Sequence, residues 1–440
     1  MISFSLFSVH FYFPDGHASE ISVKDLSADG FTFRLTREDA EVLVACPPCR
    51  IRCVFRGLGH PLEAEPASFF LSREEDEEDA TCWRVCSDEK AFIGFMRAVM
   101  QDILTYETLK NTCSDTAVSA RYTHVSSLGK TSFPADFQSW RSSLFSSLQP
   151  DPAWAVVAAE IPLFWSLSFP ETADRFLALP FPEFTERYFG EAGLSAHPIS
   201  RLATAGLCFG NAFCPGLFPY RDKLFSLLRR ASDLSLKVLV AFPPVPEERF
   251  DFFLEILSTL ATLPEQERPE LLLNDWGIAQ FLRERYPDRF TLTAGPLLAK
   301  RVKDPRTRWR LPEEVPPVFS PADGPEFRHL LTSFAFRGIL LESDGHMPSP
   351  APGDTVSFPF FQLSTATRCT LHAVCAHGAR GIQPENALCE RECAHACFVY
   401  DPSFGIIGRG NSLFAADTRL LSDVSALTVL RGSRLLLDLL

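Results

Sequence analysis

Over the first 110 residues apolar positions come in short alternating runs, Ser3–Phe13, Phe31–Leu35, Ile51–Phe55 and Ala67–Leu71, separated by turn residues. A period of two lines one face of a strand, so closely spaced runs of this kind predict a small antiparallel barrel or sandwich. The acidic run Glu74 to Asp79 falls between two such strands and reads as a solvated hairpin tip. The period then changes. Behind Ser87 as N-cap, Phe92, Ile93, Phe95, Met96, Val99, Met100, Ile103 and Leu104 follow helical spacing, which predicts a helix packed on the barrel. Residues 111–150 are rich in Ser and Thr, lack sustained periodicity, and read as a linker with local helix around Phe137–Leu148.

From Ala153 onward apolar runs alternate with amphipathic stretches. Strands are expected at Ala153–Ile161, Ile199–Leu207, Lys237–Phe242, Glu270–Leu273, Phe290–Ala294 and Gly338–Glu342, and helices at Tyr220–Leu234, Glu247–Leu263 and Ile278–Tyr286. Such alternation builds a parallel sheet, and over residues 151–440 a TIM-like (β/α) barrel is the economical closure. The expected fold class is therefore α/β, with the barrel preceded by a small β-barrel over residues 1–110. In a barrel of this kind chemistry collects where strands end. Cys208 and Cys214 follow the Ile199–Leu207 run, and Asn274-Asp275 closes the Glu270–Leu273 run.

Composition narrows the classes. In 440 residues, a hydrophobic share of 46% fills real cores without disulfides. A formal net charge of −13 argues against a protein that coats nucleic acid, although Lys300, Arg301, Lys303, Arg306, Arg308 and Arg310 form one local basic stretch, best read as a solvated loop. The longest apolar stretch, Ala153–Phe169, is broken by Glu160 and Pro162, so no membrane span is expected. The N-terminus lacks a basic n-region and carries His10 and Asp15 in its apolar part, so reduced thiols and a cytoplasmic location are expected.

Five cysteines within a short segment, Cys369, Cys375, Cys389, Cys393 and Cys397, ask for a metal. Thiolates at CxxxC spacing suit an iron–sulfur cluster or an all-cysteine zinc site, and His372, His377 or His395 could supply a nitrogen. A radical-type CxxxCxxC run is missed by one residue. Cys46, Cys49, Cys53, Cys82 and Cys86 form a looser N-terminal group that reads as strand-interior hydrophobes. Gly129-Lys130-Thr131 resembles the end of a phosphate loop, but His124 stands where the required glycine should be. HExxH and GxSxG are absent. Asp275 is a candidate general base, or equally the cap of the helix that follows.

Two resemblances add to this. The segment Asp25-Leu-Ser27-Ala-Asp-Gly30 and the strand after it resemble the D/N-x-S-x-x-G element of PilZ domains. No arginine precedes Arg34, so the RxxxR pair that grips cyclic di-GMP is missing and that ligand is not expected. Leu273-Asn274-Asp275-Trp276-Gly277, with Thr293-Ala294-Gly295-Pro296-Leu297, resembles the collagenase-like peptidase family U-32. Ala366-Thr-Arg368-Cys369 and Cys393-Ala-His-Ala-Cys397-Phe-Val-Tyr400 resemble its UbiV-like anaerobic branch, over about residues 150–420. That resemblance implies a bacterial [4Fe–4S] protein for oxygen-independent hydroxylation of a quinone precursor or nucleobase, often working with a paralogous partner chain. Its implied ligands are Cys214, Cys369, Cys393 and Cys397, with Cys208, Cys375 and Cys389 as alternatives and zinc as the alternative metal. A peptidase with a structural metal and a non-enzymatic regulator are the competing readings.

Overall fold

A computed structural model describes residues 7–55, 62–76, 80–112, 135–146, 148–299, 324–344, 349–377, 389–394, 396–399 and 406–440. The Gly129-Lys130-Thr131 stretch, the basic residues Lys300–Arg310, the tip at 77–79 and the side chains of His377 and His395 lie outside these. The chain divides into two units between residues 131 and 132.

The first unit pairs eight strands: β1 (Phe7–Tyr12), β2 (Ala18–Ile21), β3 (Val23–Ser27), β4 (Gly30–Thr36), β5 (Arg50–Phe55), β6 (Leu62–Ala64), β7 (Phe70–Asp76) and β8 (Ala80–Cys86). They form two antiparallel sheets, ordered β2-β1-β5-β6 and β3-β4-β8-β7. The alternation in the sequence becomes the inward faces: Val9, Phe11, Phe31, Phe33, Ile51 and Val85 are fully buried. Against them packs the helix Lys90–Thr112 through Phe92, Met96 and Val99. Each such side chain contributes about 1.5–3 kcal/mol by leaving water. The Asp25–Gly30 segment is the β3–β4 hairpin, and Gly30 is required there because a Cβ would stand 1.9 Å from the Val85 carbonyl oxygen.

In the second unit eight parallel strands close a barrel. They are β10 (Leu163–Leu167), β11 (Gly206–Gly210), β12 (Lys237–Phe242), β13 (Glu270–Leu273), β14 (Leu292–Ala294), β15 (Phe336–Glu342), β16 (Thr355–Thr365) and β20 (Arg434–Asp438). They pair in that order, and β20 returns to β10. The helices Arg221–Asp233, Phe250–Thr262 and Trp276–Arg285 stand where periodicity predicts them. The second half of β16 leaves the barrel and pairs antiparallel with β19 (Ser412–Ala416). Beyond it lie β18 (Ile406–Arg409), β17 (Ala396–Val399) and β9 (Ala135–Asp136).

Two expected strands are corrected. Trp154–Ala158, within the expected strand Ala153–Ile161, is a short helix, and the first barrel strand is the fully buried run after Pro162. Expected strand Ile199–Leu207 opens as a 3-10 turn at Pro198–Arg201, and only Gly206–Gly210 joins the sheet. Pro198 pre-sets φ for that turn, and His197 Nδ1 accepts the Ile199 N–H at 3.1 Å to cap it. No helix among the described residues is long and apolar enough to cross a membrane.

Candidate metal centre

Four thiols from opposite ends of the second unit meet at the barrel mouth. Cys214 stands past the C-terminal end of β11, in a loop shaped by Asn211, whose Oδ1 accepts the N–H groups of Phe213 (2.9 Å) and Cys214 (2.7 Å). Cys369 directly precedes the helix Thr370–His377, while Cys389 and Cys393 flank the start of β17 on its N-terminal side. Cys214, Cys369 and Cys389 each raise the pKa of other thiols in this set. Burial first, then Cys214 and Cys389, pushes the Cys369 thiol up to about 12. Burial first, with Glu392 and Cys214 adding to it, takes Cys389 to about 11. Cys393 is raised by burial and by Cys214, Cys369 and Cys389, and Cys214 by burial.

Backbone donors already point at these sulfurs. The N–H groups of Gly216 and Leu217 hold Cys214 down against its burial. Cys369 Sγ accepts the His372 N–H at 3.4 Å, and Cys389 Sγ accepts the Arg391 N–H at 3.4 Å. Arg391 takes φ 63° to present that N–H, a left-handed conformation that costs a non-glycine residue about 1 kcal/mol. Cations complete the surroundings: Arg249 and Arg391 favour the Cys214 thiolate, and Arg409 that of Cys393.

The β18–β19 turn ties the ligand loops together. Asn411 Nδ2 donates to the Phe213 carbonyl (3.0 Å), beside Cys214, and to the Ala366 carbonyl (2.8 Å), three residues before Cys369. Arg409 Nε donates to the Cys393 carbonyl at 2.9 Å, and its guanidinium lies 3.5 Å over the Phe169 ring. Burial takes the pKa of Arg409 down to about 9. One turn of three residues thus braces three of the four thiols. Sequence reasoning missed Arg409 and Asn411, although Gly410-Asn411 between two apolar runs is a recognisable hairpin signal.

The donor set fits a metal. Four thiols, two buried and two half-buried, whose ionisation burial and neighbouring thiolates disfavour, with N–H groups and guanidinium groups near them, would be relieved by a soft cation. Among the described residues the trio of candidate donors within 4.8 Å of one another is His372, Cys389 and Glu392, so no three of the four sulfurs are that close together. A tetrahedral zinc with bonds of about 2.3 Å needs sulfurs about 3.8 Å apart.

The other residues singled out in the sequence stand elsewhere. Cys397, a ligand that the resemblance implies, is fully buried on β17 with its thiol near Arg409. Cys375 is exposed on its helix, near Glu392. Cys208 faces the barrel interior, where burial and then Asp438 and Glu270 raise its pKa. Asp275 caps Trp276–Arg285: Oδ1 accepts the Ile278 N–H (3.0 Å) and Oδ2 the Val245 N–H (2.9 Å). In the first unit Cys53 belongs to β5 and Cys82 and Cys86 to β8, strands of different sheets.

A small cavity of about 40 Å³, partly open to solvent, opens beside the centre. Cys214, Arg409 and Asn411 line both. Its apolar wall is Phe169, Phe360 and Phe414; its polar floor includes Ser166, Glu342 and Asp438. Burial raises the pKa of Asp438, with Glu342 adding and Ser166 and Arg409 opposing. At the other end, Arg434 closes the barrel on Glu270 through two bonds, of 2.5 and 2.6 Å.

No family model and no curated protein matches this sequence. Among solved structures, that of the U32 peptidase Mk0906 aligns over 63% of this chain and 92% of its own, at 11% identity and a TM-score of 0.30. A likeness that distant carries no argument about activity, so the function rests on the site itself.

Proposed function

We propose that the second unit is a redox enzyme in which Cys214, Cys369, Cys389 and Cys393 hold a [4Fe–4S] cluster. A small ring-bearing molecule would approach it from the open side of the adjoining small cavity, for oxygen-independent hydroxylation. The observation that carries this reading is the convergence of four mutually interacting thiols, one from the loop after the second barrel strand and three from beyond the seventh. A cluster there supplies one-electron transfer. The chain's own residues do the rest. Phe169, Phe360 and Phe414 offer ring faces and edges to a planar substrate. Asp438, whose carboxyl burial pushes above its ordinary value, lines the same cavity and offers a hydrogen-bonding group to an oxygen on it. For the first unit we propose a PilZ-like module that does not bind cyclic di-GMP: Arg84 of β8 is paired with Asp29, in the turn of the β3–β4 hairpin, at 2.9 Å.

Anaerobic isolation tests the reading. About four irons per chain and broad visible absorbance are expected. Cys214→Ala, Cys369→Ala and Cys393→Ala abolish both, while Cys397→Ala keeps them. Stoichiometric zinc without iron, or equal loss of iron in Cys397→Ala, refutes the assignment.

A further inference from the structure

We propose that His372 is a fifth donor of this centre, an exchangeable ligand that takes the metal corner of Cys389, with Glu392 as the carboxylate that orients it. The inference rests on the four-thiol reading above and goes beyond it. His372 is buried on the helix that follows Cys369. Its Nδ1 lies 2.7 Å from Glu392 Oε1, and its Nε2 is buried with no hydrogen-bond partner. A ring nitrogen, the Cys389 sulfur and a Glu392 oxygen all fall within 4.8 Å of one another.

The bond to Glu392 fixes the tautomer. In the neutral ring it places the proton on Nδ1 and the lone pair on Nε2, which is how a carboxylate prepares a histidine to ligate metal. A buried lone pair with nothing to accept is otherwise a standing cost. Cys389 is the corner suited to exchange, because its sulfur already leans on Glu392 Oε2 at 3.6 Å, beside the histidine that would replace it. On exchange a metal–Sγ bond to Cys389 would break as a metal–Nε2 bond formed; the released thiolate would take a proton from solvent, keep it as a thiol and hydrogen-bond to Glu392 Oε2, with no change of oxidation state. One corner can then open without loss of the metal.

The test compares wild type, Cys389→Ala, Cys389→Ala/His372→Ala and Cys393→Ala, isolated anaerobically. Iron per chain and the electron paramagnetic resonance of the reduced protein are read. Cys389→Ala is expected to keep near-wild-type iron with a changed signal, while the double variant and Cys393→Ala lose it. If Cys389→Ala is as empty as Cys393→Ala while wild type is loaded, the inference falls and the cluster stands; iron-free wild type removes both. Should Cys389→Ala fail to fold by circular dichroism, His372→Ala and Glu392→Gln in the intact thiol set decide. Both are expected to release iron to a chelator about tenfold faster, and an unchanged rate overturns the proposal.

Discussion

Asn411→Ala separates bracing of the centre from ordinary packing. The side chain is 9% exposed, and its Nδ2 serves the Phe213 and Ala366 carbonyls at 3.0 and 2.8 Å. Removing it orphans two carbonyl oxygens in a setting with little water. At about 1–1.5 kcal/mol per lost bond, the expected cost is about 2–3 kcal/mol. Those two carbonyls belong to the segments that deliver Cys214 and Cys369, so part of the loss should fall on the metal. About 1.4 kcal/mol of it corresponds to tenfold faster release. Urea unfolding of the metal-free protein measures the first quantity, and chelator-driven loss of visible absorbance the second. Ser412→Ala is the control. Its hydroxyl bonds Thr365 Oγ1 (2.9 Å) and Asn411 Oδ1 (3.0 Å) without touching a ligand loop, so about 1 kcal/mol is lost and release is unaffected. If Asn411→Ala lowers stability but releases metal no faster than Ser412→Ala, the bracing argument is wrong.

In the metal-free protein, thiols whose folded pKa lies above the ordinary 9.0 stabilise fully below pH 9 and lose that contribution as pH rises towards their folded values. For Cys369 and Cys389 together the loss at pH 10 is about 3 kcal/mol, read as a falling urea midpoint that metal loading abolishes; a flat profile from pH 8 to 10.5 contradicts the assignment. Gly295→Ala would put a Cβ 2.2 Å from Asn274 Oδ1, which accepts the Leu297 N–H at 3.0 Å. A double-mutant cycle with Asn274→Ala should show the pair costing less than the sum of the singles, and strict additivity would deny the clash. Asp275→Ala removes two backbone hydrogen bonds and should cost about 1–2 kcal/mol in urea unfolding. Turnover per folded molecule should be unchanged, and its selective loss would return Asp275 to the chemistry.

What could be read from the sequence was local. The strands Lys237–Phe242 and Glu270–Leu273 lie at the residues their apolar runs mark, because a parallel strand buried on both faces needs an unbroken run. The same rule misled at Ala153–Ile161, since a buried helix turn and a buried strand look alike over so few residues. The closing strands β16 and β20 went unrecognised. Arg434 and Asp438 bracket β20 with polar side chains whose burial is offset by partners from other strands, Glu270 for Arg434 and Ser166 for Asp438. At the centre, cysteine density pointed to the region, and the family resemblance to Cys214, Cys369, Cys393 and Cys397 with Cys389 as an alternative. Spacing does not encode which of these thiols the fold draws towards Cys214, because that depends on the path of the chain before β17.

The position of Cys214 has a mechanical consequence. The strand it follows pairs with β10 and β12, whereas Cys369, Cys389 and Cys393 belong to the sheet extension that grows from β16. Between Cys214 and Cys369 the chain runs through five further barrel strands, so a metal bridging them closes a very long loop. Closing it in the unfolded chain removes entropy that grows only slowly with length, so most of the benefit arises from the ends being tied at all. Asn411 and Arg409 make the same tie in hydrogen bonds before any metal arrives. The protein therefore presents the four sulfurs already gathered, and metal binding is spared much of the ordering cost that a centre assembled from separate loops would carry. Because Cys214, Arg409 and Asn411 also wall the cavity, a molecule entering it would press on the same turn that would brace a bound metal.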